Sequence, residues 1–405
     1  MEVSHNPIRH LQYLRQSLSQ DSKPISCFLS AGCPLSVEME EGKWPLIPDV
    51  KNLSLYINSE LATNDTYTIL LDELKKAGKN HENVEDVLSF IRGLLEVAKG
   101  GTVRGLTEDD LISLDELVCQ KIGGKINVLL PEAETPYHKI VKWIKSIERK
   151  MPVEIFTTNY DLLMEQALDS LEVPYFDGFV GSRRSFFDLK AIEDNLIPIH
   201  WSRLWKVHGS INWYSEKKQN RIKVYRSSEI KEEVSRLIYP SHLKYDESRK
   251  MPYIALIDQL NRFIREKSSF LILSGYSFND EHLNGTIVNA LKSNPTAMVL
   301  ALMYGEYEED GSPRYPKAYE LAENQHNLNI WTFDKAIIGT NVGKWVIPDN
   351  EEAVEADIAA FVEDVDTSNS APASPGKNVK LGDFSKFAEF LKRTIGNQEE
   401  LRHEQ

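Results

Sequence analysis

Short apolar runs of strand length recur along the chain, and each is separated from the next by a stretch with helical spacing. Ile25–Leu29, Val153–Phe156, Leu204–Val207, Phe270–Leu273, Ala297–Met303 and Leu328–Phe333 are all of this kind. They are too short for buried helices and mostly apolar, so they read as strands covered on both faces. Alternation of such strands with helices predicts an α/β fold built on a parallel sheet of at least six strands.

The helical stretches carry their own punctuation. Asn6 before Pro7 opens a helix whose Ile8, Leu11, Leu14 and Leu18 form one stripe, and Lys23-Pro24 closes it. Residues 50–135 keep helical spacing with no strand between them. Asn83 precedes Val84–Val97, Thr107 stands three residues before Asp110, and Gly100-Gly101 and Gly123-Gly124 mark internal turns. This region is expected to be a helical insertion lying over the sheet. Tyr137–Lys150 turns Ile140, Val141 and Ile144 inward, and Leu162–Leu171 is a further helix. Pro174–His200 is an aromatic loop, and residues 227–268 have helical spacing broken at Pro240 and Pro252. Near the end, Glu351–Val365 is an acidic amphipathic helix, residues 367–380 form a flexible linker, and Phe384, Phe387 and Leu391 recur at helical spacing. That last segment is too short to fold alone. It either docks on its own domain or serves as a contact with another subunit or partner. The expected organisation is one domain over 1–366 with the insertion at about 50–135, the linker, and a C-terminal helix within 381–405.

Polar residues collect where the strands should end. Val153–Phe156 empties into Thr157, Thr158, Asn159 and Asp161, and Leu204–Val207 delivers His208-Gly209-Ser210. Ile25–Leu29 runs into the small residues of Ser30-Ala31-Gly32-Cys33-Pro34, and Phe270–Leu273 into Ser274-Gly275-Tyr276-Ser277-Phe278-Asn279-Asp280. Open parallel sheets bind ligands outside the carboxyl ends of their strands, and small residues after a first strand let backbone amides approach a phosphate. The plainer alternatives are that Thr158, Asn159 and Asp161, and likewise Asn279 and Asp280, only cap the helices that follow, and that Cys33 is packed rather than reactive.

Composition narrows the function classes. In 405 residues, 61 acidic side chains against 47 basic ones leave a net charge of −14, which opposes binding to a phosphate backbone. Three cysteines without paired spacing suit neither a disulfide framework nor a zinc module, so no metal is expected. The polar first twenty residues and the lack of a long apolar run argue against a signal peptide or membrane span, and a cytoplasmic location is expected.

Taken in order, the four strand-end clusters resemble the sirtuin fold, and more closely the bacterial sirtuin-like proteins of antiphage defence that destroy NAD. The resemblance rests on Thr158-Asn159-Tyr160-Asp161, His208-Gly209-Ser210 and the stretch Gly275–His282, with Asn83-Val84-Glu85-Asp86 as a further recurrent element. It covers about residues 22–345 and implies a Rossmann-type parallel sheet. By resemblance, Asn159 would hold a water and the nicotinamide ribose, and His208 would be the general base there. Ala31, Gly32 and Cys33 would lie at the pyrophosphate turn, and Ser274, Gly275 and Ser277 at the adenosine half. Asp49, Thr158 and Asp161 would complete the NAD-binding set.

Departures from the protein deacylases of this family bear on the reaction. Ser30 replaces the first glycine of their phosphate turn, Thr158 stands where they carry glutamine, and Leu46-Ile47-Pro48-Asp49 lacks the Phe and Arg that follow in their ribose-shielding loop. Their four zinc cysteines are absent. The expectation is therefore an NAD glycohydrolase releasing nicotinamide and ADP-ribose, depleting NAD as an abortive response to phage. The alternatives are a non-enzymatic module that senses NAD or ADP-ribose, and a deacylase without its zinc module. The resemblance further implies control by assembly, as a homo-oligomer with a HerA-type hexameric ATPase.

Overall fold

Six strands form the centre of the molecule: β1 (Ile25–Leu29), β2 (Glu154–Thr157), β3 (Ser202–Lys206), β4 (Phe270–Ser274), β5 (Met298–Leu302) and β6 (Leu328–Trp331). The structure is a computed structural model that describes residues 3–218, 221–227, 236–238, 252–348, 355–365 and 376–394. The six strands pair in parallel in the order β3-β2-β1-β4-β5-β6, with Cys27 of β1 between Ile155 of β2 and Ile272 of β4. Numbered along the chain this is the order 3-2-1-4-5-6 of the doubly wound dinucleotide-binding sheet, and the winding reverses between β1 and β4. The expected α/β class with a Rossmann-type parallel sheet is therefore what the chain forms.

Side chains alternate across this sheet into two cores. Ile25, Cys27, Leu29, Ile155 and Leu204 face one side, and Phe28, Phe156, Trp205, Leu271 and Leu273 face the other. Both sides are covered by helices, which is the physical reason the strands are mostly apolar. The first face carries α1 (Pro7–Leu18), α6 (Pro136–Ser146), α7 (Leu163–Ser170) and an insertion of four helices, α2 (Val50–Glu60), α3 (Asp65–Lys76), α4 (Val84–Ala98) and α5 (Glu108–Ile126). The second face carries α8 (Tyr253–Arg265), α9 (Glu281–Ser293) and α10 (Pro316–Glu323). Burying a side chain such as Phe156 or Ile272 contributes about 1.5–3 kcal/mol. A double-sided sheet therefore concentrates stability in its central strands and leaves their ends available for chemistry.

The helix boundaries follow the capping chemistry of the sequence. Asn6 accepts hydrogen bonds from the amides of Ile8 and Arg9, and Thr107 and Asp110 form a reciprocal capping box at the start of α5. The turn expected at Gly123-Gly124 does not form, and both glycines lie inside α5. Their propensity cost of about 1 kcal/mol each is outweighed because an unbroken helix buries Ile122 and Ile126.

Two other regions depart from expectation. The chain leaving β3 forms strand Gly209–Lys218, which pairs antiparallel with Arg221–Arg226. Together with 236–238, 185–187 and 179–180 they make a five-stranded antiparallel sheet. The alternation of buried Ile211 and Trp213 is the strand signal that dictates it. Of the helical reading of 227–268, only the part from Tyr253 onward is a helix among the described residues. The acidic segment expected as one helix is a single helical turn at Ala356–Ala359 followed by strand Val362–Asp364. That strand pairs with Lys377–Val379, so the end of the expected linker is ordered, whereas 366–375 lies outside the described residues.

The C-terminal helix α11 (Phe384–Thr394) folds back on its own domain. Phe384, Phe387, Phe390 and Leu391 are buried in the first-face core, Phe384 packs edge-to-face on Tyr137, and Glu389 pairs with Lys139 of α6 at 2.8 Å. Its apolar stripe is thereby consumed within the chain.

Candidate active site

The point where the winding reverses is also where the loops leave β1, β2, β3 and β4, and a cleft of about 410 Å³ opens there. Ser30 and Ala31 line it from the first loop, Thr158, Asn159, Tyr160 and Asp161 from the second, His208 from the third, and Tyr276, Ser277, Asn279 and Asp280 from the fourth. The opposite wall comes from the insertion and the segment leading into it, through Ile47, Pro48, Leu53, Asn83, Glu85 and Ile126. Asn159 and His208, separated by forty-nine positions in sequence, thus face one cavity.

The second loop is fixed from several directions. The amide of Thr158 donates to the Leu29 carbonyl at 3.3 Å, and the hydroxyls of Ser30 and Thr158 meet at 2.6 Å. Asn159 Nδ2 donates to the Ser30 carbonyl at 3.3 Å, which sets the plane of its carboxamide. Tyr160 donates its phenol to Glu85 Oε1 at 3.2 Å, and its carbonyl accepts from the Ile211 amide at 3.0 Å. Asp161 accepts from the Leu163 amide at 3.0 Å, just ahead of α7, while lining the cleft. Burial pushes its carboxyl up to about 6 against the opposing pull of Lys206. That lysine is itself buried, donates to the Asp161 carbonyl and pairs with Glu165 at 2.8 Å, so an internal ion pair holds the loop from beneath.

His208 is held from the fourth loop. Its Nε2 lies 3.1 Å from Asp280 Oδ2, while Oδ1 of the same carboxylate accepts from the amides of His282 and Leu283 at 2.9 and 3.1 Å. Asp280 is therefore both the cap of α9 and the partner of the histidine. With Nε2 presenting its proton to the carboxylate, Nδ1 is left as the basic nitrogen of the ring. The loop that delivers Asp280 is itself under constraint. Phe278, between cleft-lining Ser277 and Asn279, sits at φ +59°, and Asn284 Nδ2 donates to its carbonyl at 2.7 Å. A non-glycine residue in that region costs of order 1–3 kcal/mol and persists because its surroundings impose it; Phe278 is fully buried.

Other residues read from the sequence as binding groups have different duties. Gly32 and Gly275 press backbone against backbone: the Gly32 amide donates to the Gly275 carbonyl at 3.1 Å, and a Cβ on Gly32 would lie 2.8 Å from the Gly275 Cα. Glycine is required there to join the first and fourth loops, and neither residue lines the cleft. Cys33 is buried, its thiol donates to the Ser274 carbonyl at 3.3 Å, and burial pushes it up to about 12, so it is a packed residue. Ser274 is a buried sheet residue whose carbonyl also accepts from the Ser30 amide at 3.0 Å. The Asp49 carboxylate accepts from the Asn52 amide at 2.7 Å as the cap of α2, and it is the flanking Ile47, Pro48 and Val50 that reach the cleft.

Asn83, Glu85 and the second oxygen of Asp280 also belong to the site, and the sequence pattern alone does not place them there. Asn83 and Asp280 were legible as helix caps, and nothing in spacing says that a capping residue also faces a cavity. Glu85 was legible only as part of a recurrent element. Among the described residues no group of three or more His, Cys, Asp and Glu is placed to hold a metal ion, and no helix is long and apolar enough to cross a membrane.

Comparison with known proteins adds three findings. No curated protein matches the chain. A solved structure titled "Structural Basis for the Mechanism and Regulation of Sir2 Enzymes" aligns over 74% of this chain and 87% of its own, at 11% identity and a TM-score of 0.33. The family model for the SIR2-like domain matches residues 153–328, the span from β2 to the start of β6. Asn159, His208 and Asp280 all fall within the matched span.

Proposed function

We propose that the chain is an NAD glycohydrolase that releases nicotinamide and ADP-ribose. What carries this reading is the placement of Asn159 and the His208–Asp280 pair on one cleft at the switch point of a 3-2-1-4-5-6 sheet. A cleft of about 410 Å³ falls within the size range of small-molecule sites, and the SIR2-like domain favours NAD as the molecule.

In the reaction the bond from C1′ of the ribose to the nicotinamide nitrogen breaks and its electron pair returns to the ring. Water oxygen then adds to C1′, and the water proton is given up. Asn159, with its amide nitrogen committed to the Ser30 carbonyl, offers its carboxamide oxygen to position that water. His208, oriented by Asp280, supplies the base, a contribution typically worth about 10²–10⁴ in rate. The apolar wall of Ile47, Leu53 and Ile126 limits bulk water beside the reacting carbon. NAD depletion as a response to phage, and restraint by assembly into a homo-oligomer with a HerA-type ATPase, belong to the same proposal. Their support is the resemblance of the motifs, together with the need of any host to hold such an activity in check.

The test is to incubate the purified chain with NAD, with and without an acetylated peptide, and to follow nicotinamide, ADP-ribose and acetylated ADP-ribose. Peptide-independent ADP-ribose, reduced at least about 10²-fold in Asn159→Ala and His208→Ala with unchanged melting temperature, is the expected result. Saturable binding without turnover, even with the partner ATPase present, would leave a sensing module, and peptide-dependent acetylated ADP-ribose a deacylase.

A further inference from the structure

We infer that Glu85 is a third group acting on the substrate, an acidic side chain brought to the reacting sugar by the helical insertion; the inference rests on the glycohydrolase reading. Glu85 stands in the first turn of α4, where Asn83 caps the helix by accepting from the Glu85 amide at 2.9 Å. The Val84 amide beside it donates to the Ser54 hydroxyl of α2 at 2.8 Å, so this turn is fixed within the insertion. From there Glu85 lines the same cleft as Asn159 and His208.

One contact links Glu85 directly to the proposed chemistry. Tyr160, the residue between Asn159 and Asp161, donates its phenol to Glu85 Oε1 at 3.2 Å. Burial, reinforced by Glu85 itself, drives this phenol well above the ordinary tyrosine range, so Tyr160 acts only as a donor. This hydrogen bond aims the acid of the insertion and ties it to the loop that carries Asn159. Glu85 lines the cleft, and its second oxygen, Oε2, is the one assigned to the substrate.

The reaction gives that oxygen a purpose. As the bond to nicotinamide breaks, positive charge moves onto C1′ and the ring oxygen of the ribose before water adds. An anionic group fixed in advance in a partly dry cleft stabilises that charge more than it stabilises the neutral product. Asp161 and Asp280 suit this less, since Asp161 accepts from the Leu163 amide and Asp280 divides its oxygens between His208 and the cap of α9.

Glu85→Gln tests this assignment, because it removes the charge and keeps an oxygen to accept from Tyr160. We expect kcat for nicotinamide release to fall about 10²-fold or more, with binding of ADP-ribose, measured by calorimetry, within about threefold of wild type. Tyr160→Phe, which frees the side chain without removing it, should give a smaller loss of kcat. An active wild type with unchanged kcat in a folded Glu85→Gln variant overturns the assignment alone, as does an equal loss of ADP-ribose binding, which would make Glu85 a ground-state ligand. A wild type that binds NAD and releases no nicotinamide overturns the glycohydrolase reading and this role with it.

Discussion

Asp280→Asn separates the two duties of one carboxylate. Asparagine is as good a helix cap as aspartate, so the amides of His282 and Leu283 keep their acceptor. Loss of the anion at the start of α9 costs about 0.3–1 kcal/mol. At Oδ2 the change is larger, because the group 3.1 Å from His208 Nε2 becomes an amide that donates where the carboxylate accepted. The ring must then turn or adopt the other tautomer, and Nδ1 is no longer held as the base. A hydrogen bond to a charged group is worth about 1.5–3 kcal/mol, so the rate should fall about 10- to 150-fold. Asp280→Ala should match that loss and in addition destabilise the fold by about 1 kcal/mol through the missing cap. The assay is steady-state nicotinamide release beside thermal melts of both variants. A folded Asp280→Asn with wild-type kcat would refute the argument, and so would a loss of activity that only tracks the loss of melting temperature.

Two further expectations concern the frame of the site. Burial pushes Glu154, at the far end of β2, up to about 7 despite the hydrogen bond it accepts from Trp205 at 2.6 Å. A raised carboxyl keeps its proton in the fold after the unfolded chain has lost it, so stability falls as pH rises from about 4.5 to about 7. Glu154→Gln, which can still accept from Trp205, should therefore gain about 1–3 kcal/mol at pH 8 and nothing at pH 4, read by urea titration at the two values. A gain that is equal at both would show that ionisation is not its cause. Gly275→Ala places a Cβ 2.7 Å from the Cys33 amide nitrogen at a backbone φ of +68°. It should cost about 1–3 kcal/mol and weaken NAD binding by parting the first and fourth loops, and calorimetry showing undiminished affinity in a destabilised variant would refute the link.

The strands, most of the helix starts and the strand-end clusters were legible because they are local. Mostly apolar runs of four to seven residues fix a two-sided sheet, and Asn6, Asn83, Thr107 and Asp280 announce their helices through side chains that bond the next turn. The placement of Asn159 and His208 at strand ends was likewise written in the pattern. What the pattern could not hold was any relation between segments far apart in sequence. Gly32 and Gly275 look like phosphate-binding glycines until the fold lays one backbone on the other. Asp280 looks like a cap until β3 and β4 bring His208 within hydrogen-bonding distance of its other oxygen. Glu85 belongs to the cleft only because the insertion folds across it, and α11 is internal only because α6 offers it a surface. Local spacing fixes which way a residue points along its own strand or helix, whereas the partner it meets depends on the order in which the sheet is wound, and that order follows from the packing of the whole chain.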